Sequence, residues 1–197
     1  QMCIRDRRPT AALLAIAAPG DTPVNFVRGI AQGIAERCAV YNAELVGGDL
    51  TRSDHFVLNV TALGSLGGSG APLTLDKARA GQTLVAHGKI GYSAAGLALL
   101  ERFGRALPQE LEDLWPLVDA HCTPTLTPGR GVIARATGST AMTDNSDGLV
   151  RDVGLMAQRS SVHIDLDPAA IAPDPLLAAA GAVLDVDPWE WVLTGGE

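Results

Sequence analysis

The chain has 197 residues, of which 47% are hydrophobic and 19% are charged, so a folded protein with one large or two small domains is expected rather than a disordered one. Its formal net charge of -7 argues against nucleic-acid binding, because phosphate backbones are bound by clustered Lys and Arg side chains. An acidic protein that handles anionic substrates must offset negative charge locally, and bound Mg²⁺ is the usual means.

The cysteines and the N-terminal arginines bear on the cellular compartment. An odd number of cysteines without metal-ligand spacing favours a reducing compartment over secretion; they are Cys3, Cys38 and Cys122. Three arginines between residues 5 and 8, followed by the apolar run Ala11–Ala18, also resemble a signal peptide, although this run is short for one. The run is too short to span a bilayer, so a buried strand in a cytoplasmic protein without membrane association fits the sequence better.

The chain begins with a strand pattern followed by a helix pattern. Ala11–Ala18 predicts a buried strand, and Asp21 or Thr22 then caps a helix that extends to about Asn42. Apolar residues at i, i+4 spacing predict the core face of this helix: Phe26, Ile30, Ile34 and Cys38.

Two further strand patterns precede a glycine-rich segment. Ala43–Val46 predicts a short strand, and His55–Leu66 has the partial alternation of an antiparallel or half-buried strand. The glycine-rich segment Gly64–Ala71 marks a domain boundary. We therefore expect a first domain over residues 1–66 and a second domain over residues 67–197.

The second domain also alternates between the two patterns. Strands are predicted at Thr83–His87, Thr140–Thr143 and Ser161–Leu166. Helices are predicted at Ala94–Phe103, Glu110–Asp119, Gly131–Ala136, Leu149–Arg159 and Leu176–Ala180. Ser93 is placed to cap the first of these helices. Alternating strands and helices put the chain in the α/β or α+β class.

Acidic residues cluster in three short motifs. Asp144–Gly148 holds two carboxylates and a hydroxyl between a predicted strand and a predicted helix, a position that suits Mg²⁺ and the phosphates it carries. A second acidic turn, Gly47–Asp49, follows the strand at Ala43–Val46, and Gly195–Glu197 closes the chain. Three such motifs in one chain suggest a metal–nucleotide site.

Each motif also has a simpler interpretation. Gly48 and Asp49 could form an ordinary turn in which the carboxylate accepts a backbone hydrogen bond. Ser146 or Asp147 could cap the helix that follows. The Asp144–Gly148 motif is not an EF-hand, because Leu155 stands where the bidentate Glu is required. Lys89, in a glycine loop, is more readily explained as solvent-facing than as a phosphate ligand.

The residues of these motifs and their order resemble those of the thiamine-monophosphate kinase family, which is related to aminoimidazole ribonucleotide synthetase and selenophosphate synthetase. The matching segments are Leu45–Arg52, Gly91–Leu97, Asp144–Leu149 and Leu193–Glu197. The resemblance covers nearly the whole chain from Pro9 onward. It implies a two-domain, PurM-like α/β architecture, with the N-terminal domain truncated and the C-terminal domain incomplete at its end.

The resemblance also implies a reaction, which is the ATP-dependent phosphorylation of thiamine phosphate to thiamine diphosphate by a homodimer. Gly48, Asp49 and Ser146 would bind ATP, Glu197 would contact the thiamine substrate, and several Mg²⁺ ions would be bound through Asp49, Asp144 and Asp147. Because the acceptor phosphate is already ionised at neutral pH, no side-chain base is required, and no catalytic residue is assigned.

Some positions depart from the family pattern. Residues 1–8 look foreign, with Gln1 near an expected aspartate, and Leu75 stands near an expected ATP-binding arginine that Lys77 or Arg79 could replace. We expect an internal fragment with little activity by itself. Another ATP-using synthetase of the same superfamily, or a paralogue that only binds nucleotide or dimerises, remains an alternative.

Overall fold

A computed structural model describes residues 6–67 and 71–196, so the predictions for Gln1 and Glu197 fall outside the described residues. The described strands are β1 (Arg7–Ala18), β2 (Glu44–Arg52) and β3 (Val57–Leu66). The described α-helices are α1 (Val24–Val40), α2 (Tyr92–Phe103), α3 (Trp115–Cys122), α4 (Arg130–Ala136), α5 (Leu149–Ser160), α6 (Pro175–Leu184) and α7 (Pro188–Thr194), with a 3₁₀ helix at Gln109–Leu114. The mixture confirms the α/β class. No helix within the described ranges is both long enough and apolar enough to cross a bilayer.

The chain divides into two compact units. The first contains the chain up to Leu73 together with Thr127–Ser139, and the second contains Thr74–Leu126 and the chain from Thr140 onward. No sequence pattern predicted that Thr127–Ser139 would belong to the first unit.

The first unit is built on a three-stranded sheet in the order β2-β1-β3. β1 is parallel to β2 and antiparallel to β3. A parallel pair needs a crossover connection, and α1 provides it. The three predicted strands are confirmed, and β3 is antiparallel, which is one of the two positions that its alternation indicated.

The core face of α1 differs from the predicted stripe. Val27, Ile30, Ala31 and Ile34 pack against the buried residues Leu14, Ile16 and Ala18. Phe26 is instead 54% exposed, and its ring lies 5.5 Å from that of Phe56. The predicted cap is also wrong: Pro23 occupies the N-cap position, so Thr22 and Asp21 lie one and two residues outside it, and no side chain caps the helix.

A buried ion pair ties α4 into the first unit. The carboxylate of Asp6 is almost completely buried, accepts a 2.8 Å hydrogen bond from the Leu73 amide, and is paired with Arg135. Burial alone would raise the pKa of Asp6, but the hydrogen bonds from Leu73 and Arg135 outweigh burial and hold it below its ordinary value. The foreign origin of residues 1–8 stays a prediction.

The second unit has a helical core. Its central residues come from α2, α3, α6 and α7, and include Ala95, Leu99, Leu117, Val118, Leu177, Ala180, Trp191 and Val192. Gly96 allows close contact between α2 and α3, because a Cβ at this position would lie 2.0 Å from the carbonyl oxygen of Leu117. In this unit the helices predicted at Ala94–Phe103, Leu149–Arg159 and Leu176–Ala180 are confirmed, although α6 is longer than expected. The single helix predicted at Glu110–Asp119 is instead divided between the 3₁₀ helix and α3.

The three predicted strands of the second unit are wrong. Thr83–His87, Thr140–Thr143 and Ser161–Leu166 are not strands, and Ala141 contributes only a single bridge to Thr74. A strand pattern becomes a strand only where a neighbouring segment supplies its hydrogen bonds. At 83–87 every residue is exposed and no described segment pairs with it.

The start of α2 also differs from the prediction. The N-cap position is Gly91, in the left-handed conformation, rather than Ser93. Ser93 lies inside the helix, where its hydroxyl and Nδ1 of His121 are 3.2 Å apart and share a hydrogen bond. The hydroxyl therefore links α2 to α3.

Candidate functional site

The acidic loop before α5 is ordered by its own side chains. Asp144 is only 7% exposed, and its Oδ2 accepts a 2.8 Å hydrogen bond from the Ser146 hydroxyl. Asp147 is more open, with 55% of its side chain exposed and one carboxylate oxygen 3.7 Å from Nε of Arg151. An ion pair this exposed contributes little to stability. The Asp147 carboxylate is therefore accessible from solvent.

Asp152 stabilises the loop through a hydrogen bond to its backbone, and it was not among the predicted site residues. This carboxylate is 9% exposed and accepts a 3.0 Å hydrogen bond from the backbone amide of Asp147. It lies in the first turn of α5, where an acidic side chain satisfies free amides and complements the helix dipole. An acidic residue placed just after the start of a predicted helix is the signal that could have found it.

Two glycines allow the acidic loop to contact the end of α7 and the residues that follow it. Gly148 has φ 105°, and a Cβ there would lie 2.5 Å from the Thr194 carbonyl oxygen. A Cβ at Gly196 would lie 2.1 Å from the Ser146 carbonyl oxygen. Real Cβ atoms do not approach backbone this closely, so only glycine permits both contacts.

A second pair of glycines brings the start of α2 to the same place. A Cβ at Gly91 would lie 3.1 Å from the backbone carbon of Trp191. One at Gly195 would lie 2.7 Å from Cβ of Ala94. Three of the four matching sequence segments, distant along the chain, therefore meet within the second unit.

Asn145 lies between the two residues that order the loop, and its side chain is unusual. Oδ1 and Nδ2 are both buried, and neither has a hydrogen-bond partner among the described residues. Leaving a buried polar group unpaired costs about 1–3 kcal/mol, and folded proteins contain few such groups. Sequence reasoning treated this residue only as part of the motif.

Gly48 and Asp49 do not form the predicted turn. Both lie inside β2, which continues to Arg52 because its backbone pairs with β1 on both sides of the motif. A Cβ at Gly48 would lie 1.7 Å from the carbonyl oxygen of Leu14, so the glycine lets the two strands approach. Asp49 pairs in register with Ala15 and is exposed. Both residues belong to the first unit, and their participation in one site with the acidic loop stays a prediction.

The loop before α2 carries a network of charged and polar side chains. The Tyr92 hydroxyl donates a hydrogen bond to Asp174, the N-cap residue of α6, and Lys89 Nζ lies 4.0 Å from the same carboxylate. Burial, followed by the hydrogen bond to Asp174 and its charge, raises the pKa of Tyr92 to about 12. Lys89 also lies over the Tyr92 ring, at 5.2 Å from its centroid. Its charge is thus already partly offset.

The segment proposed to replace the family arginine is attached to the end of α5. The Ala78 amide donates a 3.0 Å hydrogen bond to the Ser160 hydroxyl, which itself donates to the carbonyl oxygen of Leu75. Lys77 and Arg79 are both exposed. The substitution of either for the arginine stays a prediction.

The donor set of the acidic loop suits Mg²⁺ when phosphate is also present. Within the described residues, no group of three or more His, Cys, Asp or Glu could hold a metal by itself. Mg²⁺ is usually bound by one or two carboxylates, waters and substrate phosphates rather than by a closed protein cage. The acidic loop fits that requirement with two carboxylates. That of Asp144 is buried and hydrogen-bonded, and that of Asp147 is accessible.

Comparison with known sequences gives a consistent set of relatives. Residues 6–66 match the family described as AIR synthase related protein, N-terminal domain. Thiamine-monophosphate kinase of Corynebacterium glutamicum is 63% identical over 191 residues, which are 96% of this chain and 57% of that protein. The enzyme of the same name from Mycobacterium tuberculosis is 40% identical over 96% of this chain and 55% of its own length. The chain thus spans a little over half of these relatives.

Solved structures with a similar fold include enzymes of the same name. The crystal structure of thiamine monophosphate kinase from Aquifex aeolicus aligns with all of this chain and 65% of its own, with a TM-score of 0.87 and 28% identity. The complex of AaThiL with AMPPCP and TMP aligns with a TM-score of 0.84 at 28% identity, over 61% of that chain. Hydrogenase maturation protein HypE, at 16% identity and a TM-score of 0.68, shares the fold alone.

Proposed function

Because this chain belongs to the thiamine-monophosphate kinase family, we propose that the protein containing it transfers the γ-phosphoryl group of ATP to thiamine phosphate, giving thiamine diphosphate and ADP. A relative at 63% identity carries that enzyme name, and a structural neighbour is a complex with TMP and AMPPCP, an analogue of ATP. The whole reaction is a proposal, because the chain spans 57% of that relative.

One structural observation carries the proposal most strongly. The start of α2, the acidic loop before α5 and the segment after α7 meet through glycines that leave no room for a side chain. Packing alone does not require three loops with a buried and an exposed carboxylate at their junction. Such a junction can present carboxylates and backbone groups to a charged ligand.

The residues of the second unit have separate roles in this proposal. Asp144 and Asp147 would hold Mg²⁺, and the metal would neutralise charge on the phosphate oxygens when bound. Ser146 orients Asp144 through its hydrogen bond and would contact ATP. Asp152 fixes the amide of Asp147 and so keeps the loop in one conformation. Because both reacting groups are anions and the acceptor is already ionised, positioning and charge neutralisation suffice without a side-chain base.

Further parts of the proposal concern residues and properties outside that junction. Gly48 and Asp49 would bind ATP and Mg²⁺, and Glu197, beyond the described residues, would contact thiamine phosphate. Lys77 or Arg79 would take the place of the family arginine. The protein would require Mg²⁺, form a homodimer and work in the cytoplasm.

The direct test is an assay of the full-length gene product that contains this chain. Thiamine diphosphate and ADP should form in equal amounts from thiamine phosphate and ATP with Mg²⁺, and EDTA should stop both. Parallel assays with aminoimidazole precursors and with selenide would test the other activities of the superfamily. Turnover with one of these substrates and none with thiamine phosphate would refute the proposal.

A binding measurement separates an enzyme from a paralogue that only binds nucleotide. Calorimetric titration with Mg-ATP, and then with thiamine phosphate in the presence of AMPPCP and Mg²⁺, should show two binding events. Binding of nucleotide without any binding of thiamine phosphate would favour the non-catalytic paralogue.

A further inference from the structure

We propose that Asn145 is a positioning residue whose side-chain amide receives its hydrogen-bond partner only when a phosphate or a magnesium-bound water enters the acidic loop. This inference rests on the proposed function, because it takes Mg-ATP as the ligand. It assigns a role to the one residue of the Asp144–Asp147 motif for which neither the fold nor the resemblance supplies one.

The burial of Asn145 is the first step of the argument. Both polar atoms of the amide are shielded from solvent, yet neither is hydrogen-bonded within the described part of the chain. The amide group has two N–H donors and an oxygen acceptor, all of which would be satisfied in an exposed position. An apolar side chain of the same shape would fill this space without leaving hydrogen-bonding groups unpaired. The polar atoms therefore require an explanation other than packing.

The neighbouring groups are the second step, because they are already engaged. The Ser146 hydroxyl donates to Asp144, and the Asp147 amide donates to Asp152. Gly148 and Gly196 hold the loop backbone against the end of α7 and the residues after it, with no room for a Cβ at either glycine. Because no group among the described residues pairs with the amide, water or a bound ligand is left to supply its partner.

The position of the residue favours the ligand. Asn145 directly follows a buried carboxylate and precedes the residue that orients it. A bound phosphate or the hydration shell of Mg²⁺ brings oxygen atoms that can accept from Nδ2, and a metal-bound water can donate to Oδ1. Binding would then remove an unfavourable feature of the free protein, and the gain would appear as tighter nucleotide binding.

The test compares unfolding temperature and nucleotide affinity in the full-length gene product with Asn145→Leu, which keeps the shape and removes the polar atoms. Without nucleotide, the variant should unfold about 2–4 °C higher, because the unpaired amide is gone. Its affinity for Mg-ATP should fall about tenfold, because a hydrogen bond to a charged ligand is lost. Gln158→Leu replaces an exposed amide on α5 and should change neither quantity.

Separate titrations with ATP in EDTA, with Mg²⁺ alone and with Mg-ATP distinguish the two sources of the partner oxygen. A loss in the variant with ATP in EDTA indicates a phosphate oxygen, whereas a loss only in the presence of Mg²⁺ indicates a metal-bound water. Both results support the inference. If Asn145→Leu does not fold, Asn145→Ser, which is smaller and still polar, replaces it and should show the same loss of affinity.

Two results would overturn the inference. Unchanged Mg-ATP affinity in the variant would show that the amide does not meet the ligand. A lower unfolding temperature without nucleotide would show that a structural water already satisfies the amide. Failure of the unsubstituted protein to bind Mg-ATP would instead refute the proposed function and this inference together, so the two failures are distinguishable.

Discussion

The acidic motifs of the two units place their carboxylates by different physical means. In the first unit, Asp49 is carried on β2, and its position follows from backbone hydrogen bonds to β1. In the second unit, Asp144 lies in a loop whose shape depends on a hydroxyl, a second carboxylate and glycine contacts. The strand leaves its carboxylate exposed, while the loop buries the other one. A carboxylate on a strand should therefore tolerate changes nearby better than one in the loop.

The largest expected effect is on the chemistry itself and tests whether both motifs serve one reaction. Asp49→Asn and Asp144→Asn should each lower kcat/KM for Mg-ATP by about 100- to 1,000-fold, because each removes charge that would hold Mg²⁺. The double variant should lose much less than the product of the two factors, because groups that act as a unit are not additive. Steady-state kinetics of the four proteins measure this.

The comparison of the single and double variants has a control and a result that would contradict it. Asp165→Asn, at a side chain that is 91% exposed, should leave the kinetics unchanged. Losses that multiply fully in the double variant would mean that the two motifs act independently, and the comparison between them would lose its functional meaning.

The next effect concerns the glycine contacts of the loop. Gly196→Ala should reduce kcat/KM by about 100-fold, because its Cβ would displace the Ser146 carbonyl and a shift of about 1 Å is enough for such a loss. Gly154→Ala, in α5 and with open space around it, is the matched control and should retain activity. Equal activity in both variants would show that the close approach is unnecessary for function.

A smaller effect is expected for the glycine of the Gly47–Asp49 motif in β2. It concerns the stability of the protein and not the geometry of the acidic loop. Gly48→Ala should lower the free energy of unfolding by about 1–3 kcal/mol, because the Cβ would overlap the Leu14 carbonyl and separate β1 from β2. Urea denaturation measures the change. Gly33→Ala, an open position in α1, should instead raise stability by about 0.5–1 kcal/mol, and a fall there as large as at Gly48 would contradict this explanation.

The smallest effect is the pH dependence of the Tyr92–Asp174 hydrogen bond. The pKa of Tyr92 is raised from 10.0 to about 12, so the folded state holds its proton more tightly than the unfolded state. The corresponding stability is complete below pH 10 and is lost as the pH rises to about 12. Tyr92→Phe should cost about 1 kcal/mol at neutral pH and remove this alkaline dependence.

The same pair has a second, acidic limit with the opposite sign. Burial would raise the pKa of Asp174, but hydrogen bonds from Tyr92 and the amides of Leu177 and Leu176 lower it from 3.8. This contribution is present above the unfolded pKa and is lost as the pH falls through the folded one. Unfolding curves for the parent and for Tyr92→Phe, measured from acid to alkali, test both limits. Identical curves would show that the hydrogen bond contributes nothing.

The elements that sequence patterns predicted correctly are those with local causes. β1 contains the continuous apolar run Ala11–Ala18, and α5 has a clear apolar face, so both were found. The strand predictions at Thr83–His87 and Ser161–Leu166 failed because alternation indicates a possible strand but not the partner that would pair with it. The turn prediction at Gly47–Asp49 failed because β1 pairs with this segment. Its two glycines therefore lie in an extended strand and not in a turn.

For the candidate site, the residue types and their order were available from the sequence, but the contacts were not. The acidic motif indicated Mg²⁺ because carboxylates near a helix N-terminus suit hard cations. Asp152 was missed although its place in the first turn of a predicted helix is a local signal. The unpaired amide of Asn145 could not be predicted, because burial depends on atoms from other parts of the chain.

By itself, the sequence determined the α/β class, most helices, the strands of the first unit and the identity of the acidic motifs, because composition, periodicity and short-range chemistry are local properties. Tertiary structure alone decided which extended segments paired, which face of α1 was buried and how the second unit's glycine motifs met. Those outcomes depend on contacts between residues far apart along the chain, where a single Cβ against a carbonyl oxygen is enough to change the arrangement.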